Sequence, residues 1–149
     1  MKILGLDPAT LCGWAHSDGP SGVWDLRNRR DEGGGMRLVR FLGKLNEVRA
    51  SLGVEAVAYE AARHAAPKMQ GALVVQAEIQ GVLKAWCEEH EIPYRGYSPS
   101  EVKAIATGKG NAGKPLVLAA ALAKWGPVVL TTDQADALWI LELARRDLG

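Results

Sequence analysis

The sequence predicts an α/β fold, a five-stranded mixed sheet flanked by helices, as a single domain over residues 1–149. Three observations lead there. At 149 residues, with 48% hydrophobic and 23% charged residues, the chain has the size and composition of one globular unit with its own core. Short apolar runs split by turn signals fill its first part, and strand-length runs then alternate with helix-length amphipathic segments. No internal repeat, low-complexity tract or linker divides it.

The first strand is expected from Met1 to Asp7, with Ile3, Leu4 and Leu6 leading to the stop Asp7-Pro8. Cys12 to Ser17 and Gly22 to Leu26, separated by Asp18-Gly19-Pro20, complete an antiparallel meander. Arg29 to Gly35 is a flexible connection. From Met36 to Leu52, Leu38, Phe41, Leu42, Leu45, Val48 and Leu52 recur at spacings of three and four, which predicts an amphipathic helix with Arg37, Arg40 and Lys44 on its solvated side. Val54 to Tyr59 is a strand ending at Glu60. Pro67 to Glu89 reads as a long helix with two apolar sides, Leu73, Ile79, Leu83 and Trp86 on one and Val74, Val75, Val82 and Ala85 on the other. Ile92 to Tyr97 is the fifth strand. Ser98-Pro99-Ser100-Glu101 is a capping box with proline at the first helical position, opening a helix that ends by Gly108. Gly108 to Gly113 is a loop, Leu116 to Trp125 a helix, and Thr132 caps a last helix reaching about Arg146.

Composition excludes several classes of protein. Cys12 and Cys87 form neither a CxxC pair nor part of a metal-spaced set, which argues against a zinc site or a disulfide scaffold. No apolar run approaches the ~20 residues that span a bilayer, and MKILGLD turns acidic too soon for a signal peptide. A reduced, cytoplasmic protein without a membrane partner is expected. The net charge of +1 neither requires nor forbids nucleic acid.

Four acids stand at element ends. Asp7 closes the first strand and Glu60 the fourth, and a right-handed crossover would set those ends side by side. Asp133 and Asp136 are three residues apart on the first turn of the last helix and share a face. Each has an ordinary structural explanation: an aspartate before proline starts turns, and Asp133 suits a helix dipole. Glu60, behind a run of apolar and aromatic neighbours, is the hardest to explain that way. Four converging carboxylates repel one another, and hard divalent cations relieve the repulsion. A pair of such ions can clamp the attacking and leaving oxygens of a phosphodiester.

These motifs resemble those of the RuvC-type Holliday-junction resolvases of the ribonuclease H-like superfamily. ILGLDPATLCGWA is similar to the family's first-strand motif, VEAVAYEAA to its strand-terminal glutamate motif, EVKAIATGKGNAGK to its lysine-bearing helix and loop, and TDQADALWILELA to its closing Asp-x-x-Asp helix. The resemblance covers almost the whole chain. It implies a ribonuclease H-like fold, with Asp7, Glu60, Asp133 and Asp136 as catalytic carboxylates holding two Mg²⁺ ions per site, Mn²⁺ substituting. Lys114 would be the active-site lysine and Lys103 a more distant basic partner. Ala9 stands where the family has glycine, and Ala61-Ala62-Arg63-His64 replaces its aromatic wedge. The compact chain and the missing wedge lean toward a phage member.

The stretch from Arg95 through Lys103, Lys109 and Lys114 contains one acid, Glu101, and is locally basic. Arg63, His64, Lys68, Lys103, Lys109 and Lys114 are the expected DNA contacts. His16 and His90 read as structural or exposed, and Trp14, Trp86 and Trp139 as core. A four-way junction offers two symmetry-related strands, which a twofold homodimer matches, and the second apolar side of the long helix is the candidate interface. The expected function is structure-selective cleavage of Holliday junctions to 5′-phosphate and 3′-hydroxyl ends, with no nucleotide cofactor. The competing readings are another ribonuclease H-like nuclease, acting on RNA–DNA hybrids or pre-ribosomal RNA, and a non-catalytic branched-DNA-binding protein. A sugar-kinase or actin-like fragment is rejected, since that fold needs two such domains.

Overall fold

Alternation along the strands divides the apolar residues between two faces of one sheet. In the computed structural model, which describes residues 1–61 and 70–148, Leu4, Leu6, Val57 and Tyr59 enter one core. Ile3, Ala56, Ala58 and Tyr97 enter the other. The five strands are β1 (Ile3–Asp7), β2 (Leu11–His16), β3 (Ser21–Asp25), β4 (Ala56–Glu60) and β5 (Tyr94–Tyr97). Their order is β3-β2-β1-β4-β5. β1, β2 and β3 form the antiparallel meander, while β4 and β5 continue from β1 in parallel. The expected five-stranded mixed sheet is present, with helices on both faces.

The first face is covered by α1 (Met36–Ser51) and α2 (Gln70–Glu89). α1 buries Phe41, Leu45 and Val48, three of the positions its periodicity singled out. α2 buries Ile79, Leu83 and Trp86 beside them, and Trp86 Nε1 donates to Asn46 Oδ1 at 2.9 Å, tying the helices together. The second expected apolar side of α2 divides. Val75 and Val82 pack against this same core, whereas Val74 is 57% exposed and Ala85 is exposed. The part of the expected helix from Pro67 to Met69 lies outside the described residues.

The other face carries α3 (Pro99–Thr107), α4 (Lys114–Trp125) and α5 (Thr132–Leu148). The Ser98–Glu101 capping box closes in both directions. α4 begins at Lys114, two residues before the expected Leu116, because Pro115 is at home in a first helical turn. The cap of α5 is corrected by one residue: Thr131 Oγ1 accepts the Gln134 N–H at 3.1 Å, and Thr132 is already helical. Buried Gln134 decides between the adjacent threonines. Its Oε1 accepts from the Leu130 N–H at 2.8 Å, and its Nε2 donates to Val128 O at 2.9 Å and Ser21 Oγ at 3.0 Å, fixing the chain entering the helix.

Cys12 and Cys87 are separate buried thiols. Among the described residues no single helix is long and apolar enough to cross a membrane.

Candidate active site

Asp7 and Glu60 are the last residues of two neighbouring parallel strands. Leu6 pairs with Tyr59, so the acids lie side by side one residue on. The two-residue period that sends Ile3 and Ala58 to the α5 face sends Asp7 and Glu60 there too.

α5 supplies the other two acids because the sheet beneath it has almost no side chains. A Cβ on Gly5 would lie 2.9 Å from the carbonyl oxygen of Ala137, and one on Gly13 would overlap the carbonyl of Asp133. With Ala15 and Ala58 these glycines make a flat floor on which the helix backbone rests. Gly13 pairs with Asp7 in the ladder. The start of α5, with Asp133 in its first turn and Asp136 just beyond it, therefore lies over the carboxylate end of β1. Lys114, the first residue of α4, extends its Nζ to 3.5 Å from Asp136 Oδ2.

Burial and mutual repulsion dominate the electrostatics. Asp7 is 6% exposed. Burial first, then the charges of Glu60 and Asp136, hold its carboxyl well above the usual carboxylate range, with Lys114 opposing. Burial and then Asp136 push Glu60 up to about 7, against the pull of Lys114 and Lys103. Burial raises Asp136, while Lys114 and a hydrogen bond shared with Asp7 work the other way. Burial disfavours the Lys114 ammonium, but Asp136 and Asp7 outweigh it and hold its pKa above the ordinary lysine value.

Among the described residues no group of three or more His, Cys, Asp or Glu side chains is arranged as it stands to hold a metal ion. The donor chemistry nonetheless fits a hard divalent cation. The donors are all carboxylate oxygens, largely removed from water, and at Asp7 and Glu60 the repulsion from neighbouring acids exceeds the pull of Lys114.

Glu60, Asp136, Lys114 and Lys103 line a cleft of about 320 Å³. Lys109 is exposed on the loop between α3 and α4, its N–H donating to Thr107 Oγ1 at 3.1 Å. Arg63, His64 and Lys68 lie outside the described residues. Arg95 is occupied elsewhere, 3.5 Å from Asp147 and stacked over Tyr97. Buried His16 is structural, with Nε2 2.7 Å from Gly53 O and Nδ1 accepting the Asp18 N–H. The expected solvated face of α1 is corrected. Arg37 and Arg40 fold back onto the loop after β3, bonding the carbonyls of Leu26 and Arg27, because that loop leaves acceptors within their reach.

Sequence reasoning missed two residues. Gln76 lines the cleft beside Glu60. Gln80, one turn along α2 and buried, has its amide 3.4 Å from the Glu60 carbonyl. Their signal was available: two glutamines four apart on a helix whose neighbours on that side are apolar.

A mixed sheet ordered 3-2-1-4-5, with acids ending its two central parallel strands and beginning the helix laid across them, defines a ribonuclease H-like domain. No family model matches the chain. The relatives and solved structures it matches are more specific. It is 33% identical over 157 aligned positions to a crossover junction endodeoxyribonuclease RuvC from an Anaeromyxobacter species, covering 98% of this chain and 74% of the relative. The Nitratidesulfovibrio vulgaris RuvC is 34% identical over 124 positions, covering 78% and 73%. A further Anaeromyxobacter RuvC is 40% identical over a stretch of 75 residues that spans 40% of that relative's length. The Thermus thermophilus RuvC structure superposes with a TM-score of 0.75 at 21% identity, covering 100% of this chain and 98% of that one. The T. thermophilus RuvC in complex with a Holliday junction substrate gives 0.74 at 23% identity, covering 94% and 90%. The chain belongs to the RuvC crossover junction endodeoxyribonuclease family.

Proposed function

We propose that the protein is a structure-selective endodeoxyribonuclease that resolves Holliday junctions, hydrolysing phosphodiesters to 5′-phosphate and 3′-hydroxyl ends. One observation carries the reading: in a RuvC-family chain, Asp7, Glu60, Asp133 and Asp136 converge with Lys114 at one end of the sheet. Two Mg²⁺ ions, replaceable by Mn²⁺, would lower the pKa of the attacking water and stabilise the leaving 3′-oxygen.

The protein's own groups do the rest. The four carboxylates hold the ions, and their burial keeps bulk water from screening the charges that develop. Lys114 neutralises charge gathering on the phosphate, the role its closeness to Asp136 suits. Lys103 and Lys109, with Arg63, His64 and Lys68, contact the backbone and hold the junction in register. The molecule acts as a cytoplasmic twofold homodimer, giving one site to each strand of a symmetry-related pair. The outward side of α2 is the candidate interface, since Val74, Ala77, Gly81 and Ala85 are all exposed there.

Incubation of a labelled four-way junction, a linear duplex and an RNA–DNA hybrid, with and without Mg²⁺ or Mn²⁺, tests the reading. Symmetric metal-dependent nicks in the junction alone are expected. Preferred cleavage of the hybrid would make it another ribonuclease H-like nuclease. Binding without cutting under every divalent metal would leave an architectural protein.

A further inference from the structure

The loop leaving β3 borders a second polar cleft, of about 460 Å³, lined by Asp25, Arg27, Asn28, Arg29 and Arg40. The carboxylate chemistry does not use it. Arg27 is locked to Asp25 by two bonds, Nε–Oδ1 at 2.9 Å and Nη2–Oδ2 at 2.7 Å, which leave Nη1 without a partner among the described residues. Arg40 donates through Nη2 to Glu32 and through Nη1 to the Arg27 carbonyl, bracing the loop. Among the described residues the Arg29 guanidinium makes no hydrogen bond or ion pair; its backbone alone is engaged, the N–H donating to the Glu32 carboxylate and the carbonyl accepting from the Glu32 N–H. The two acids thus orient two of the three guanidiniums and leave an excess positive charge facing the cleft.

Its position follows from the sheet. β3 is antiparallel to β2, and β2 to β1, so β3 runs with β1 and its loop emerges at the carboxylate end. Asp7 pairs with Gly13 and Gly13 with Val23, placing Val23 about 10 Å from Asp7 at ordinary strand spacing. Asp25 and Arg27 lie two and four residues further toward the same end. Each strand of a duplex presents a phosphate every ~3.4 Å of axis. A backbone with one phosphate at Asp7 therefore reaches the cleft within about three or four nucleotides.

We propose that this arginine cleft is a phosphate-binding subsite, taking a backbone phosphodiester of the DNA arm three or four nucleotides from the one held at the carboxylates. The proposal rests on the junction-nuclease reading of that site. Arginine suits the task, because its planar fork matches two phosphate oxygens at once and it stays charged at any working pH.

Junction binding without divalent metal, followed by fluorescence anisotropy across a salt series, tests it with Arg29→Gln and with Arg27→Gln/Arg29→Gln. Each lost phosphate contact lowers the slope of log affinity against log salt by about 0.9. A fall of about one in the single variant and two in the double, equal for junctions of different sequence, is expected. A parent-like slope in a variant with parent-like circular dichroism overturns the subsite. The single variant guards against misfolding, since Arg29 anchors nothing through its side chain. If the parent binds neither junction nor duplex at low salt, the junction reading falls and takes the subsite with it. If the parent binds and only the slopes fail to move, the subsite alone is lost. Inorganic phosphate at constant ionic strength separates the sources of anion. Competition with the junction that disappears in Arg29→Gln supports the subsite, and phosphate occupancy without competition makes it a free-anion pocket and overturns it.

Discussion

The backbone carbonyl of Asp133 occupies the space where any side chain at position 13 would begin, so Gly13 and Asp133 meet backbone to backbone. This contact seats the first turn of α5 over the end of β1 and brings Asp133 and Asp136 to Asp7. Gly13→Ala must push the helix off the sheet, because the obstructing atom belongs to the backbone and no rotamer can yield. The expected cost is about 2–4 kcal/mol of stability, at the upper end of overpacking effects, with cleavage lost even where the protein still folds. Urea denaturation and junction cleavage, each compared with the parent, check this.

The buried acids make stability fall as pH rises in the absence of metal. An acid whose pKa is higher in the folded than in the unfolded chain binds more protons when folded, so stability drops wherever the unfolded form has already ionised. For Glu60 that window runs from its ordinary value of 4.5 to about 7. Asp7 shifts in the same direction and extends the effect. Metal-free protein is expected to lose on the order of 2 kcal/mol between pH 4.5 and 7.5, and Glu60→Gln should lose less. Denaturation midpoints at several pH values in chelator check this, and a flat profile would mean that neither burial nor repulsion raises the acids.

Much of this arrangement was legible in the sequence, for local reasons. The capping box at Ser98, the three-and-four periodicity of α1 and the turn at Asp18-Gly19-Pro20 are short-range signals, and each element stands within a few residues of its expected place. The acids were legible because each sits where an element ends, and ends are marked. Contacts between distant segments were not legible. Nothing local says that Gly13 faces Asp133, that Gln134 reaches Ser21, or that Arg40 turns back to the Arg27 carbonyl. The threonine cap was misplaced by one because Thr131 and Thr132 are equally good cappers, and the choice falls to Gln134's tertiary bonds.

Removing that cap should have a measurable local cost. Thr131→Ala leaves the Gln134 N–H without its acceptor and is expected to cost about 1 kcal/mol. Thr132→Ala, at a position already helical, should change stability by less than half as much. Equal losses in the two variants, measured by thermal denaturation, would return the cap to Thr132.

Lys114 separates charge from structure. Its side chain is 68% exposed, and among the described residues Asp136 is its one ion-pair partner, so Lys114→Met should fold normally. Loss of a cation aimed at developing phosphate charge is expected to lower the single-turnover cleavage rate by about 10²-fold, while junction affinity without metal changes little. A variant that binds and cuts like the parent would remove Lys114 from the chemistry.

Asp7→Asn separates stability from function in the opposite direction. Asp7 is nearly enclosed, its charge is disfavoured by burial, and it faces Glu60, Asp136 and Asp133. An amide of the same shape removes the buried charge and its repulsions. The metal-free variant should therefore be more stable than the parent at pH 7.5, by about 1–2 kcal/mol or several degrees in Tm. It should bind junctions and fail to cut them. Mg²⁺ or Mn²⁺ should raise the parent's Tm more than the variant's, since the ions relieve a repulsion that the variant has already lost. Differential scanning fluorimetry with and without metal, run beside cleavage assays, measures all three, and a metal-free variant less stable than the parent would mean that Asp7 is held by favourable contacts and not by a waiting cation.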